Sequence, residues 1–282
     1  MIRLDDAALR LIDLALTEDR GSGDWTTRWI TPARARARGT IISKDNGIVA
    51  GLALGSAVFL RLDPRVEFEA ACSDGERVEP GQVVARIGGP ARAVLTGERT
   101  ALNFLQRLSG VATATRRFVD AVSGTRARIL DTRKTTPGWR ALEKAAVRAG
   151  GGENHRAGLF DMILIKENHA VVSGGVAEAI RRVQDANLRN LRIEVEIHDL
   201  AELRAAIDGR VDRVLLDNME IEQIRQAVQL VRKRASGIEI EASGNMTLDR
   251  VRAVADAGVD FISVGAITHS AVALDLSLRL HS

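Results

Sequence analysis

The run from Asp131 to His169, DTRKTTPGWRALEKAAVRAGGGENHRAGLFDMILIKENH, decides how the chain is read. Two short apolar runs hold its ends, Arg128-Ile129-Leu130 and Met162-Ile163-Leu164-Ile165. Each has the length and composition of a buried strand. Each stops at a dense polar set: Asp131, Arg133, Lys134, Thr135 and Thr136 after the first, and Lys166, Asn168 and His169 after the second. Between them lie a Pro137-Gly138 turn, the triplet Gly150 to Gly152, and Asn154-His155-Arg156. The segment therefore gathers Arg133, Lys134, His155, Arg156 and Lys166 with little carboxylate nearby. Such a pocket suits a small molecule with several negative charges, because arginine forks bind carboxylate and phosphate oxygens bidentately.

Downstream, apolar strand-like runs centre near 129, 163, 194, 214, 239 and 261. Helical stretches separate them, among them 174 to 186, 199 to 207, 219 to 234 and 247 to 257. Alternating strand and helix means a parallel sheet. The runs end in order at Asp131, Lys166, Glu196, Asp217, Ser243 and Gly265. A polar or glycine residue at every strand end is the pattern of an α/β barrel active site. A doubly wound open sheet would concentrate its site at one switch point.

In the run Arg192 to Ile197, Glu194 and Glu196 share a face, and Asp217 follows Val214-Leu215-Leu216. An acid on a barrel strand is costly unless it binds something. Glu196 and Asp217 are thus candidates to hold ribose hydroxyls or Mg²⁺, directly or indirectly, or to pair with Lys166 or Arg133. A few oxygen ligands completed by phosphate fit Mg²⁺ better than zinc, and no two of the five histidines have His-x-x-x-His spacing. The last two runs close on Glu241-Ala-Ser-Gly-Asn245 and Ser263-Val-Gly-Ala-Ile-Thr268. Both turn through glycine with small hydroxyl residues, so both are candidate phosphate cradles.

Upstream, residues 5 to 16 read as an amphipathic helix capped by Asp5, with a loop over Glu18 to Thr27. Residues 34 to 72 read as strands around a small helix at 52 to 61. The segment DGERVEPGQVVARIGG superficially resembles a lipoyl or biotinyl carrier hammerhead but holds no lysine, so it reads as scaffold. From Ala91 to about Val122 the pattern is helical, with Leu95, Leu102, Leu105 and Leu108 on one face and Gly110 as a break or kink.

Composition excludes several classes. The 282 residues suffice for one large or two modest domains, and 45% hydrophobic residues indicate a globular chain. No apolar run reaches the ~20 residues of a membrane span. MIRLDDAALRLIDLAL has acids where a signal peptide wants bases. The single cysteine, Cys72, makes the cytosol the default compartment. A net charge of +3 and 3% aromatics argue against nucleic acid.

The segments DTRKTTPG, GGGENHR and LIKENH closely resemble signature segments of the quinolinate phosphoribosyltransferase family. The resemblance runs from Glu18-Asp19 and Gly23-Asp24 to Gly265-Ala266, nearly the whole chain. It implies an incomplete parallel α/β barrel over 111–270 beside an N-terminal α/β sandwich domain over 1–110, with 271–282 packing back on the latter. It implies transfer of phosphoribosyl from phosphoribosyl pyrophosphate to quinolinate with decarboxylation, giving nicotinate mononucleotide, pyrophosphate and CO₂ in NAD biosynthesis, with Mg²⁺. The 5-phosphate would meet Ser243, Gly244, Asn245, Gly265 and Ala266, the ribose and Mg²⁺ would meet Glu196 and Asp217, and the pyrophosphate would meet Lys134. Quinolinate would be held by Arg133, His155, Arg156 and Lys166. In the family, the arginine matching Arg99 in ERTALNFLQ reaches a partner subunit's site, which implies a homodimer or an assembly of dimers. On the residues alone, Glu98-Arg99 is a surface ion pair. Trp139 stands where the family usually has leucine or another aliphatic residue, a departure that bears on the local loop shape.

Three rivals remain at this stage. Lys166 at a strand end suits the Schiff base of a class I aldolase, though five cations exceed the need of a mono-anionic substrate. A non-catalytic anion-binding or regulatory protein would need no acids at Glu196 and Asp217. The molybdenum-transport-associated branch of the same family would act on another substrate.

Overall fold

The structure, a computed structural model, describes residues 4–281; Met1–Arg3 and Ser282, the ends of segments 1–110 and 271–282, lie outside the described residues. In chain order the elements are α1 (Asp6–Arg20), α2 (Trp25–Ile30), β1 (Arg36–Ser43), β2 (Gly47–Ile48), α3 (Leu52–Leu62), β3 (Glu67–Ala70), β4 (Arg77–Val78), β5 (Val83–Pro90) and α4 (Ala91–Ala121). There follow β6 (Arg128–Leu130), α5 (Arg140–Ala149), β7 (Ile163–Ile165), α6 (Glu167–Ser173), α7 (Val176–Ala186), β8 (Ile193–Ile197), α8 (Leu200–Asp208) and β9 (Arg213–Asp217). The chain ends with α9 (Ile221–Arg234), β10 (Glu239–Ser243), α10 (Leu248–Asp256), β11 (Phe261–Ser263), α11 (Ala266–His269) and β12 (Leu276–His281). No helix of the described residues is long and apolar enough to cross a membrane.

The chain forms two compact units, and neither is continuous. The first takes Met1–Arg116, Thr135–Gly151 and Ile267–Ser282. Its antiparallel sheet has the order β12-β1-β5-β3. Ile41, Val84 and Ala85 of that sheet pack with Leu102 and Leu105 of α4 and with Leu274 and Leu276, an α/β sandwich built by one apolar face of each layer. Strand β12 lies along β1, with Arg38 opposite His281 and Ser43 opposite Leu276.

A linear cut at 110 assigns 135–151 to the second domain, but this strip clusters with the first unit. Side chains on α4 hold it there. Trp139 stacks on Phe104 with centroids 4.8 Å apart. Arg107 Nη2 donates to the buried Glu143 Oε1 at 2.8 Å. The larger ring at Trp139 thus serves as an anchor for its loop.

Two expectations are corrected in this unit. The stretch Glu18 to Thr27 is not one loop: α1 continues to Arg20, and Asp24 caps α2 by accepting from Thr27 N at 2.9 Å. Gly110 does not interrupt α4, which continues to Ala121. A methyl group at Gly110 would fall on the carbonyl oxygen of Val272. This glycine serves close backbone approach, not helix termination.

The second unit takes Arg117–Lys134 and Gly152–Ala266. Its six-stranded sheet has the order β6-β11-β10-β9-β8-β7, with every pairing parallel. From β7 to β11 each strand pairs with its successor, and β11 then pairs with β6. A doubly wound sheet reverses direction at a switch point; this one proceeds around a ring that lacks only the β6–β7 pairing. That is an incomplete parallel barrel. Alternation along the strands turns Glu194 and Glu196, Arg213 and Asp217, Glu239, Glu241 and Ser243, and Ser263 to one face. Barrel interiors are usually filled by branched aliphatic layers; this one carries charge.

Gly110→Ala separates the two readings of that residue by sign. A glycine that merely weakens a helix gains about 1 kcal/mol on replacement by alanine. Here the overpacking against Val272 should instead cost about 1–3 kcal/mol. Thermal melts of the variant should show a lower Tm, and a rise would refute the packing argument.

Candidate active site

The site is built on the C-terminal ends of the barrel strands. A cavity of about 550 Å³ is lined there by Arg133, Lys134, His155, Arg156, Lys166, Glu196, Asp217, Asn218, Glu241, Ser243, Gly244, Asn245 and Ser263, among others. This is the usual size of a small-molecule site. Ten of the expected site residues therefore share one cavity. Gly265 and Ala266 follow Ser263 at the turn into α11 and do not line the cavity. Arg99 lies exposed on α4 in the first unit and is not among the lining residues.

Asp131 organises the cationic side. It is fully buried at the end of β6. Its carboxylate accepts from Asn154 Nδ2 at 2.6 Å and from His155 N at 2.8 Å. These bonds pin the Asn154-His155-Arg156 run to the strand end. Charge-assisted bonds of this kind are short and strong. Arg156 is buried, and its Nη1 donates to Met162 O at 3.2 Å. Burial first, and the Arg133 charge second, lower its pKa. Two guanidiniums held close enough to disfavour each other form a site prepared for an anion.

His155 is committed within the protein. Arg156 N donates to its Nδ1 at 2.8 Å, so Nδ1 carries a lone pair and Nε2 carries the hydrogen. That Nε2–H meets Glu194 Oε2 at 2.8 Å. The imidazole therefore holds Arg156 from behind, and both ring nitrogens are engaged before any ligand arrives.

On the opposite wall, Lys166 Nζ lies 3.2 Å from Glu196 Oε2. The other oxygen of Glu196 accepts from Glu167 N at 3.4 Å, at the start of α6. His169 Nδ1 accepts from Lys166 N at 2.9 Å, so the histidine of LIKENH caps this turn. A Schiff-base lysine needs a free amine lone pair; the pairing of Lys166 with Glu196 opposes the aldolase reading.

Asn218 joins the acidic and glycine-rich parts. Its Nδ2 donates to Asp217 Oδ2 at 2.8 Å, its N donates to Ser243 O at 3.0 Å, and its Oδ1 accepts from Asn245 Nδ2 at 3.2 Å. Gly244 and Asn245 have φ of 92° and 47°. Two successive positive-φ residues turn the chain sharply at the end of β10, beside the cavity. A Cβ at Gly244 would fall on Asn218, so only glycine fits this turn.

Glu196 and Asp217, with the Asn218 amide beside them, make a small set of oxygen donors. That set suits Mg²⁺, which keeps several waters and takes further oxygens from a phosphate ligand. The donor chemistry thus fits the expected cation.

Below the cavity lies a cluster that the sequence reading left almost unused. Arg213 is buried, donating to Glu241 Oε2 at 2.9 Å and to Glu239 Oε2 at 2.8 Å. Ser263 Oγ bonds to Glu241 Oε1. Burial, and then the charge of Glu194, push the Glu241 carboxyl up to about 8. Burial likewise raises Glu194, against the pull of Arg213. Glu241 gave one faint signal in sequence, the alternation of Glu239, Glu241 and Ser243 with Ile240 and Ala242; Arg213 and Asn218 gave none.

Glu241→Gln preserves the shape of a protonated carboxyl but cannot titrate. A folded pKa near 8 lies above the ordinary 4.5, so this group contributes stability in full below the ordinary value. That contribution is lost as pH rises through the folded value. Unfolding free energies from denaturant melts should therefore decline over this window more steeply in the parent than in the variant, by on the order of a few kcal/mol. Identical pH slopes would show that Glu241 is already ionised in the fold.

Comparison with known proteins agrees with this architecture. Residues 24–109 match the quinolinate phosphoribosyl transferase N-terminal domain, and residues 111–279 match the C-terminal domain of the same family. A probable nicotinate-nucleotide pyrophosphorylase (carboxylating) from Synechocystis is 42% identical, covering 94% of this chain and 90% of that protein. Quinolinate phosphoribosyltransferase (decarboxylating) 1 of Nicotiana glauca is 40% identical, covering 96% of this chain and 81% of its own. The solved nicotinate-nucleotide pyrophosphorylase from Francisella tularensis superposes with a TM-score of 0.92 at 39% identity, covering 99% of this chain and 98% of that one. With both family domains matched along most of its length and relatives this similar across it, the chain belongs to the quinolinate phosphoribosyl transferase family.

Proposed function

We propose that this chain transfers the phosphoribosyl group of phosphoribosyl pyrophosphate to quinolinate with loss of CO₂, giving nicotinate mononucleotide and pyrophosphate for NAD biosynthesis. One observation carries the reading: a family member places Arg133, Lys134, Arg156 and Lys166 around one cavity with Glu196 and Asp217. A pyridine dicarboxylate matches the cations, because two carboxylates offset guanidiniums that are costly to bury alone. Arg133, Arg156 and Lys166 hold the ring acid, and His155 supports it by fixing Arg156.

The phosphoribosyl donor spans the other side. The 5-phosphate rests on Ser243, Gly244 and Asn245, with Gly265 and Ala266 just beyond β11. The ribose meets Glu196 and Asp217, and Lys134 meets the pyrophosphate. Mg²⁺ held at Glu196 and Asp217 would neutralise charge on the pyrophosphate. The pyridine nitrogen attacks the anomeric carbon as pyrophosphate leaves. No protein nucleophile is needed, so the chain contributes alignment and charge compensation. With its one cysteine, Cys72, the chain suits a reducing compartment, and we place the reaction in the cytosol.

The decisive assay mixes protein, Mg²⁺, phosphoribosyl pyrophosphate and quinolinate, and looks for CO₂ and nicotinate mononucleotide. Nicotinate, with one carboxylate, should be a poor substitute, because it leaves a cation unpaired. Comparable kcat/KM for the two acids would sink the quinolinate reading and favour another substrate of the family.

The exposed Arg99 is proposed to complete the site of a second copy in a homodimer. Arg99→Ala and Lys166→Ala should each be nearly inactive. In a random mixture half the dimers are mixed and each has one intact site, so activity should return to about a quarter of the parent's. No recovery in a sample that mass spectrometry shows to hold mixed dimers would leave Arg99 serving its own chain or none.

A further inference from the structure

Strands β9 and β10 end side by side, with Asp217 paired to Ser243. Asn218 carries the pairing one step further, since its N donates to Ser243 O at 3.0 Å. Both chains then leave the sheet in the left-handed region: φ is 53° at Asn218, 92° at Gly244 and 47° at Asn245. The two strand ends therefore turn together, and Asp217, Asn218, Ser243, Gly244 and Asn245 all line the cavity.

The Asn218 amide ties these turns to each other. A carboxylate only accepts, so the 2.8 Å contact with Asp217 Oδ2 makes the Asn218 nitrogen the donor. The amide oxygen is then the atom that accepts from Asn245 Nδ2 at 3.2 Å. One planar group thus donates to the acid assigned above to the ribose hydroxyls and accepts from the turn assigned to the 5-phosphate. The same side chain lies against Gly244, where a Cβ would fall on it.

The fold alone does not call for this amide. Asn218 and Asn245 are exposed, and hydrogen bonds open to water contribute little net stability. Glycine would adopt the same backbone without strain. What the amide adds is a fixed distance between two subsites. Two contacts on one small molecule reinforce each other only where the protein holds both at the ligand's own spacing.

We propose that Asn218 is a positioning residue: it sets the spacing of Asp217 from the Ser243-Gly244-Asn245 turn, and so selects a donor that carries ribose hydroxyls and a 5-phosphate on one sugar. It takes no part in bond making. This inference rests on the functional reading above, which assigns the ribose to Asp217 and the phosphate to the turn.

Two variants test it. Asn218→Gly keeps the left-handed backbone and removes the amide. Asn218→Asp also tolerates that backbone, keeps an acceptor for Asn245 and loses the donor to Asp217. In each, the KM for phosphoribosyl pyrophosphate should rise about tenfold while the KM for quinolinate holds within about twofold. Calorimetric titration without Mg²⁺ gives a readout independent of turnover. The parent should bind ribose 5-phosphate about tenfold more tightly than inorganic phosphate, and in both variants that ratio should fall to about two. The Tm of Asn218→Gly should stay within about 2 °C of the parent's. A merely structural residue would instead lower Tm or the active fraction, cutting kcat and leaving both KM values and the binding ratio where they are. An unchanged KM for phosphoribosyl pyrophosphate, an equal rise in both KM values, or an unchanged binding ratio overturns the proposal. So does a parent with no preference for ribose 5-phosphate, or failure of both variants to fold. A parent that releases no pyrophosphate from the two substrates refutes the functional reading, and the ribose 5-phosphate ratio still decides the role of Asn218.

Discussion

The buried guanidinium of Arg213 is what lets a barrel keep carboxylates in its interior. It bonds to Glu239 and Glu241 and stacks over Phe261 at 4.1 Å, so charge and ring face both stabilise it. Removing one partner of such a group leaves an unpaired buried charge, which typically costs 3–5 kcal/mol. From Arg213 the chain of contacts rises through Glu241 and Glu194 to His155, and from His155 to Arg156 on the cavity wall. Arg156, on the cavity wall, is thus held through His155 by a buried network that runs down to Arg213.

Much of this was legible from sequence because strand ends are local. Six apolar runs with polar terminators can be counted without knowing how they pair, and the helices between them make a parallel sheet the simple solution. The ring closure through β11 and β6 was not legible, since pairing between distant strands leaves no local trace. His155 was read within the cluster of Arg133, Lys134, Arg156 and Lys166, and sequence carries no trace of the bonds that its nitrogens make with Arg156 N and Glu194. Gly110 was misread as a break: a helix-weakening residue and a close-approach residue look identical until Val272 is seen against it.

Trp139 shows how a departure from a family pattern is absorbed. Its indole lies nearly parallel to Phe104, at an interplanar angle of 16°. Its loop also carries Thr136, whose hydroxyl donates to Glu143 at 2.8 Å. An aromatic pair of this kind contributes about 0.5–1.5 kcal/mol beyond its buried area. The residues that follow Lys134 in sequence are therefore fastened within the first unit by ring stacking and by a buried carboxylate.

The discontinuity of that unit bears on how the chain acquires its structure. Strand β1 pairs with β12, and Arg38 lies opposite His281. During synthesis the first sheet must wait, with one edge of β1 uncovered, until nearly the whole barrel sequence has emerged. Long-range pairings of this kind slow folding, and open strand edges invite association with other chains. The barrel strands, each beside its neighbour in sequence from β7 to β11, can form during that wait. A segment made after the barrel is thus the one that completes the first sheet, and nascent chains halted before it should depend on chaperones.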